Sequence, residues 1–287
     1  MRKTTVVSVV VLLLLAASAP RALAQGTYTQ IDVPGATATF VEGIDTAGDV
    51  VGYYADSSST YHGFLLSSGT YTTIDPPGST HTIAVGINDE GQIVGSATTG
   101  SYLYDVATQT FTRINFHESS TSTSTYGINN AGTIVGLIQN TITGHNYGFE
   151  LSAAKYTKVA LPQPYSYLSS INNSGIAIGD ASNGQVTKPF LYSQGKITKL
   201  NVPGITPLYA SGVNDNGAIA GSYLTPSASL VGFVYQNGVV GQIAFPGSNI
   251  TYANSINNAG EVVGFFSGSD NNFHGFLWTP PAGAAKK

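Results

Sequence analysis

The stretch Gly86-Ile87-Asn88-Asp89-Glu90-Gly91-Gln92-Ile93-Val94-Gly95 occurs in six near-copies along the chain. The other copies start at Gly43, Gly127, Ser170, Gly212 and Ser255, so successive starts lie 43, 41, 43, 42 and 43 residues apart. A fixed period of this length marks a repeat architecture, and it governs every local assignment. Within each copy, Asn or Asp at the first turn position and Gly at the fourth form the signature of a type I turn. The flanking residues read as short strands. The unit is a tight hairpin.

Two more strands complete each repeat. A third strand centres on Gly63-Phe64-Leu65 and its equivalents at Phe149, Phe190, Phe233 and Phe276; unit 2 departs from this with Ser101-Tyr102-Leu103. A fourth strand, rich in Thr, Tyr and Ile, ends near Pro-Gly, as in Tyr71 to Gly78. Four strands in about 42 residues is the dimension of a propeller blade. The last copy stops after Trp278 without a fourth strand, whereas Gly26 to Gly35 is a fourth strand with no unit of its own. Pairing the two gives an all-β, six-bladed β-propeller over residues 25–279, closed by its N-terminal strand. Such closure removes exposed sheet edges.

The ends read differently. Arg2 and Lys3, an apolar run from Val6 to Ala17, and Ala22-Leu23-Ala24 form a secretory signal peptide over residues 1–24, cut before Gln25. Residues 280–287 read as a flexible tail, and Ser119 to Thr125 as a mobile surface loop. With no cysteine, disulfides, thiolate catalysis and cysteine-bound zinc are excluded. Without residues 1–24, 8 basic residues face 15 acidic ones, a net charge of −7, which argues against nucleic acid as partner. Neither a cofactor nor a membrane span is expected. The expected state is a secreted monomer, extracellular or periplasmic.

With the repeat written out, the chain resembles the HAF-repeat family of extracellular bacterial proteins. The matching features are Gly127-Ile-Asn-Asn-Ala-Gly-Thr-Ile-Val-Gly136, the strand end Thr73-Ile-Asp-Pro-Pro-Gly78, and His-Gly-Phe at His62 to Phe64 and His274 to Phe276. Gly stands where the family triplet has its middle Ala, and four of the six copies lack the preceding His. The resemblance implies a secreted repeat protein and adds nothing catalytic.

Asn88-Asp89-Glu90-Gly91 has oxygens that suit calcium, but Asn129 to Gly132 and Asn257 to Gly260 carry no carboxylate. Turn chemistry accounts for the motif, and no metal site is expected. His62 and His274 read as structural hydrogen-bonders. Three residues before each copy stand Phe40, Ile83, Ser124, Tyr167, Tyr209 and Tyr252; two before it, mostly small residues suit a tapering hub. Tyr combines a flat apolar face with a polar tip. Phe40, Tyr167, Tyr209 and Tyr252 are therefore the candidate ligand-binding residues, and inter-blade packing is the competing reading. The loops on that face also collect His81, His117, Glu118, Asp56, Asp180 and Asp270.

The leading expectation is a non-enzymatic binding module for an extracellular glycan, peptide or protein. An extracellular hydrolase or lyase acting on a polymer through His81, His117 or Glu118 is the alternative, and a structural envelope component the third. No Gly-x-Ser-x-Gly elbow, His-Glu-x-x-His helix, Walker loop or dinucleotide fingerprint is present.

Overall fold

The computed structural model describes residues 26–116, 121–159, 163–206 and 209–281. The leader, His117, Glu118 and the end of the tail lie outside the described residues. Within them the chain is all strand and turn: twenty-four strands and no helix. The first five repeats each form an antiparallel meander of four strands, over residues 38–74, 82–114, 121–159, 165–199 and 209–243, and the sixth spans residues 251–279. Unit 6 holds only three strands of its own, and Thr27–Ile31 pairs antiparallel with Phe273–Thr279 as its fourth.

The meanders group into five sheets rather than six separate ones. Units 3 and 4 merge into an eight-stranded sheet through a single parallel bridge, Asn146 to Tyr165. The Asn146 N–H donates to the Pro164 carbonyl at 2.8 Å, so the strand entering unit 4 runs beside the third strand of unit 3. A second departure from expectation is the Ser/Thr run. Thr121–Ile128 is a strand, not a loop. Thr125 is fully buried and donates its hydroxyl to the Gly95 carbonyl at 2.7 Å, and β-branched residues favour this pleated, half-buried setting.

The hairpin chemistry explains the motif. The Gly91 N–H donates to the Asn88 carbonyl at 3.1 Å and Gly91 has φ +72°, the left-handed conformation that closes a type I turn with a G1 bulge. The last Gly of each copy answers a different need. The first strand carries a bulge in every unit, as between Thr125 and Gly127. A Cβ at Gly136 would run into the Ser124 carbonyl, and equivalent carbonyls block Gly52, Gly95, Gly179, Gly221 and Gly264. Each of these glycines faces the third-strand aromatic in register: Gly136 opposite Phe149, Gly221 opposite Phe233. The ring covers the backbone that the glycine leaves bare. In unit 2 the ring is Tyr102, whose hydroxyl donates to the Ile83 carbonyl at 3.1 Å.

Buried apolar side chains form six clusters, each straddling consecutive units. One of them joins unit 6 to unit 1, with Val263 against Val41, Ile44 and Phe64. Among the described residues no helix is long and apolar enough to cross a membrane.

Candidate functional site

The first strands of all six units line one cavity of about 440 Å³. Side chains reach it from alternate positions along each strand, because successive strand residues point to opposite faces. The residue immediately before each copy of the motif is one such position: Glu42, Val85, Tyr126, Ser169, Ser211 and Asn254 all line the cavity. No two neighbouring units but the Ser pair agree there. Tyr167, Tyr209 and Tyr252, two residues earlier in their strands, line it too. Position two before each motif points the other way, into the interfaces between units, and is fully buried from Val41 to Ala253.

The tyrosines meet in pairs. Tyr126 meets Tyr167 edge-on with ring centroids 5.9 Å apart, and Tyr209 lies 6.3 Å from Tyr252. Tyr252 stacks on Phe265 at 4.6 Å, and Phe265 meets Phe40 at 5.0 Å. Phe40 stacks on Tyr53 at 4.6 Å and packs against Phe273. Of the four expected ligand-contacting aromatics, Tyr167, Tyr209 and Tyr252 thus face the cavity. Phe40 instead joins the aromatic packing beside it and does not line the wall.

Two acids attend this wall. Glu42 projects from the first strand of unit 1, and its Oε2 accepts a hydrogen bond from Asn254 Nδ2 at 3.0 Å. It keeps part of its surface toward the cavity, yet protein surrounds it, and burial pushes its carboxyl up to about 8. Burial also holds the neighbouring Tyr53 hydroxyl above its ordinary value, with the Glu42 charge adding to it. Asp180 is the second acid and is not a loop residue, as the sequence suggested. It sits on the second strand of unit 4, 1% exposed, directly opposite Tyr167. Its Oδ2 accepts from the Tyr167 hydroxyl at 3.0 Å and the Ala210 N–H at 3.4 Å; burial pushes it up to about 7.

The cavity floor is aliphatic. Ile44, Ile87, Ile128, Ile171, Val213 and Ile256 lie between it and a smaller recess of about 70 Å³ lined by the hairpin turns. Around that recess run two ladders of hydrogen bonds. In the inner one, Asn88 Nδ2 donates to the Asn129 carbonyl, Asn129 to Asn172, Asn172 to Asn214, Asn214 to Asn257, and Asn257 to Asp45, all at 2.9–3.1 Å. Asp45 has no amide to pass on. At that boundary the outer ladder takes over: Thr46 N–H and hydroxyl bond Asp89 at 2.8 and 3.1 Å. The motif's Asn therefore closes its own turn through Oδ1 and clasps the next unit through Nδ2, a second role that the turn signature concealed.

The remaining candidates scatter. His81 lies outside the cavity; its Nδ1 accepts from the Tyr61 N–H at 3.1 Å, and its ring meets Tyr61. His62 bridges Asp75 at 2.7 Å and Asp56 at 3.6 Å, and His274 bridges Asp32 at 2.9 Å and Asp270 at 3.2 Å. Both histidines tie the third strand to strand ends and turns, away from the cavity. Among the described residues no group of three or more His, Asp or Glu gathers to hold a metal ion.

No family model and no curated protein matches the chain. Solved structures do. Regucalcin from Agrobacterium tumefaciens, described as a calcium-binding protein, aligns with TM-score 0.57 and 13% identity over 89% of this chain and 94% of its own. TolB from Acinetobacter baumannii aligns with TM-score 0.57 and 12% identity, over 80% of this chain and 63% of TolB. A variant of the Aleuria aurantia lectin in complex with Fucα1-6GlcNAc aligns with TM-score 0.51 and 11% identity, over 86% of this chain and 99% of the lectin. At such identities the likeness speaks to fold alone. The chain is an all-β β-propeller.

Proposed function

We propose that this chain is a secreted, monomeric six-bladed β-propeller of the HAF-repeat type that binds an extracellular glycan, or failing that a peptide, in its tyrosine-lined central cavity. Six blades closed by the N-terminal strand fit the pairing of Thr27–Ile31 with unit 6 and the hydrogen bonds that cross from unit 6 to unit 1. The observation that carries the binding reading is the cavity itself: about 440 Å³, with Tyr126, Tyr167, Tyr209 and Tyr252 on one arc of its wall. A concave, largely apolar pocket with a few convergent polar groups is the usual form of a ligand site. Rigid aromatic rings offer stacking faces, and the hydroxyls offer hydrogen bonds at little entropic cost. The lectin among the structural neighbours binds a fucosylated sugar, which makes a glycan the first ligand class to try.

A glycan array probed with the protein lacking residues 1–24 tests this directly. A hit should lose at least about tenfold in affinity, ~1.4 kcal/mol, when Tyr167, Tyr209 and Tyr252 are all replaced by Ala. Undiminished binding by that variant would place the site elsewhere.

A further inference from the structure

We infer that the cavity contains a subsite for an organic ammonium group, held between Glu42 and the tyrosine arc. The inference rests on the cavity-binding reading and narrows its ligand to one that carries a free amine.

Three observations converge. First, among the described residues Glu42 is the only acid on the cavity wall, and no Lys, Arg or His lines it. A carboxylate enclosed by protein with no cation to face is costly to ionise, and its one hydrogen-bond partner, Asn254 Nδ2, is neutral and shared with the Val41 carbonyl. Second, Tyr53, Tyr126, Tyr167, Tyr209 and Tyr252 present rings around the same space. The negative faces of aromatic rings attract ammonium groups, and an aromatic cage with one carboxylate is a recurrent way to hold them. Third, the position that supplies Glu42 holds a neutral residue in every other unit, Val85, Tyr126, Ser169, Ser211 and Asn254. The acid is not part of the repeat: where Ser169 and Asn254 donate to the next unit from this position, Glu42 only accepts, from Asn254.

The raised titration of Glu42 fits this arrangement and predicts a proton linkage. At neutral pH the free protein holds a proton on much of its Glu42; a bound ammonium favours the carboxylate, so that proton leaves to solvent as the amine enters. Of the groups that could compete for the role, Asp180 stands behind the wall and is engaged by the Tyr167 hydroxyl and the Ala210 N–H. On the adjoining second strand, Tyr53 is a hydroxyl held protonated; on the first strand of unit 6, Tyr252 is likewise raised. On the neighbouring Phe273–Thr279 strand, His274 is engaged by Asp32 and Asp270. The first strand of unit 2, Thr82–Ile87, carries no ionisable group.

The test uses the whole chain without residues 1–24, titrated by NMR at pH 7 with glucosamine, N-acetylglucosamine and n-butylamine. Glucosamine and N-acetylglucosamine share a ring but not the amine; n-butylamine has the amine without the sugar. The expected result is that glucosamine binds at least about tenfold more tightly than N-acetylglucosamine, and that Glu42→Gln abolishes the difference. This substitution keeps the shape and the Asn254 contact, and an unchanged or higher melting temperature verifies its fold. Calorimetry in two buffers of different ionisation enthalpy should show proton release on amine binding by the wild type and none by E42Q. Equal binding of glucosamine and its N-acetyl form overturns the ammonium subsite while leaving a sugar-binding cavity in place. Undiminished amine binding by E42Q, or no binding of either amine, overturns it as well, whatever an array glycan does. Binding of n-butylamine alone supports the subsite and assigns it to a non-sugar amine.

Discussion

Asn254 in the last repeat donates its Nδ2 amide to both Glu42 Oε2 and the Val41 carbonyl of the first repeat, each at 3.0 Å. One side chain thereby ties the last repeat to the first and seats the one acid that lines the cavity among the described residues. Fold and site are coupled at that contact.

The coupling has a pH signature. Burial raises Glu42 from 4.5 to about 8, so the folded chain retains a proton that the unfolded chain releases. Its effect on stability is therefore a loss as pH climbs from about 4.5 through about 8. E42Q removes the titrating group. Melting temperature measured from pH 5 to pH 9 should fall less steeply for E42Q than for wild type; parallel curves would show that Glu42 titrates normally in the fold.

The break in the inner amide ladder is a natural lesion. Asp45 caps its own turn, accepting from Asp49 N–H at 2.8 Å, but cannot donate to the Asn88 carbonyl as its five equivalents donate onward. Burial holds its carboxyl above the ordinary range, and the Asp49 and Asp89 charges add to this. Asp45→Asn supplies the missing donor and relieves the repulsion. It should stabilise the protein by about 1 kcal/mol, the net worth of one hydrogen bond, and raise Tm by roughly 2–4 °C. A lower Tm in a thermal melt would mean that the amide cannot reach Asn88.

His62 and His274 give a second, separable pH dependence. In His62 the hydrogen bond to Asp75 leads the upward shift, and in His274 the bonds to Asp270 and Asp32 outweigh burial. Stability from these groups is fully present below the unfolded His value, about 6.5, and is lost as pH rises through the raised folded values. The carboxyls act at the other end. Backbone N–H donors lead the lowering of Asp56 and Asp270, the latter to about 2, so their contribution holds above roughly 3.9 and fades as pH falls below it. Between about 4 and 6.5 both sets of ion pairs contribute fully. The double variant His62→Ala, His274→Ala should lose Tm at pH 5.5 and much less at pH 8.5; equal losses would indicate packing alone.

The N-terminal strand is expected to be indispensable. Tyr28 sits against Phe245 and Phe276, and its hydroxyl accepts from the Ala244 N–H at 3.0 Å. Tyr28→Phe should cost about 1 kcal/mol. A chain beginning at Ala36 would bare the edge of Phe273–Thr279 and should aggregate on size-exclusion chromatography. A soluble monomer with an unchanged melt would contradict closure through this strand.

Much of this architecture is legible in the sequence because its cause is local and repeated. The turn at Asn88 to Gly91 needs Asn and Gly at fixed offsets, and six copies make the period plain. The unit-to-unit ladder is not legible, since Asn Nδ2 donates across about 40 residues and leaves no local trace. The cavity wall is half legible. Tyr167, Tyr209 and Tyr252 were visible as a repeated aromatic at one position, whereas Glu42, Tyr126 and Asn254 were not, because a bulge shifts the register just before the motif. The signal that could have found them is disagreement: their position holds Glu, Val, Tyr, Ser, Ser and Asn across an otherwise uniform repeat. Asp180 escaped for a related reason. It occupies a strand position that is Tyr53, Ser96, Leu137, Ser222 and Phe265 elsewhere, and only its pairing with Tyr167 brings it beside the cavity.

The most direct test of the central claim, that the cavity is the binding site, compares two sets of substitutions against one ligand. The ligand is the strongest glycan-array hit, and its affinity is measured by calorimetry for wild type, for Tyr167→Ala, Tyr209→Ala, Tyr252→Ala combined, and for His62→Ala with His274→Ala at the outer edge. The account expects the cavity variant to lose at least about tenfold, ~1.4 kcal/mol, and the edge variant to bind as wild type does at a temperature where both are folded. Loss of binding in the edge variant with the cavity variant unimpaired would contradict it.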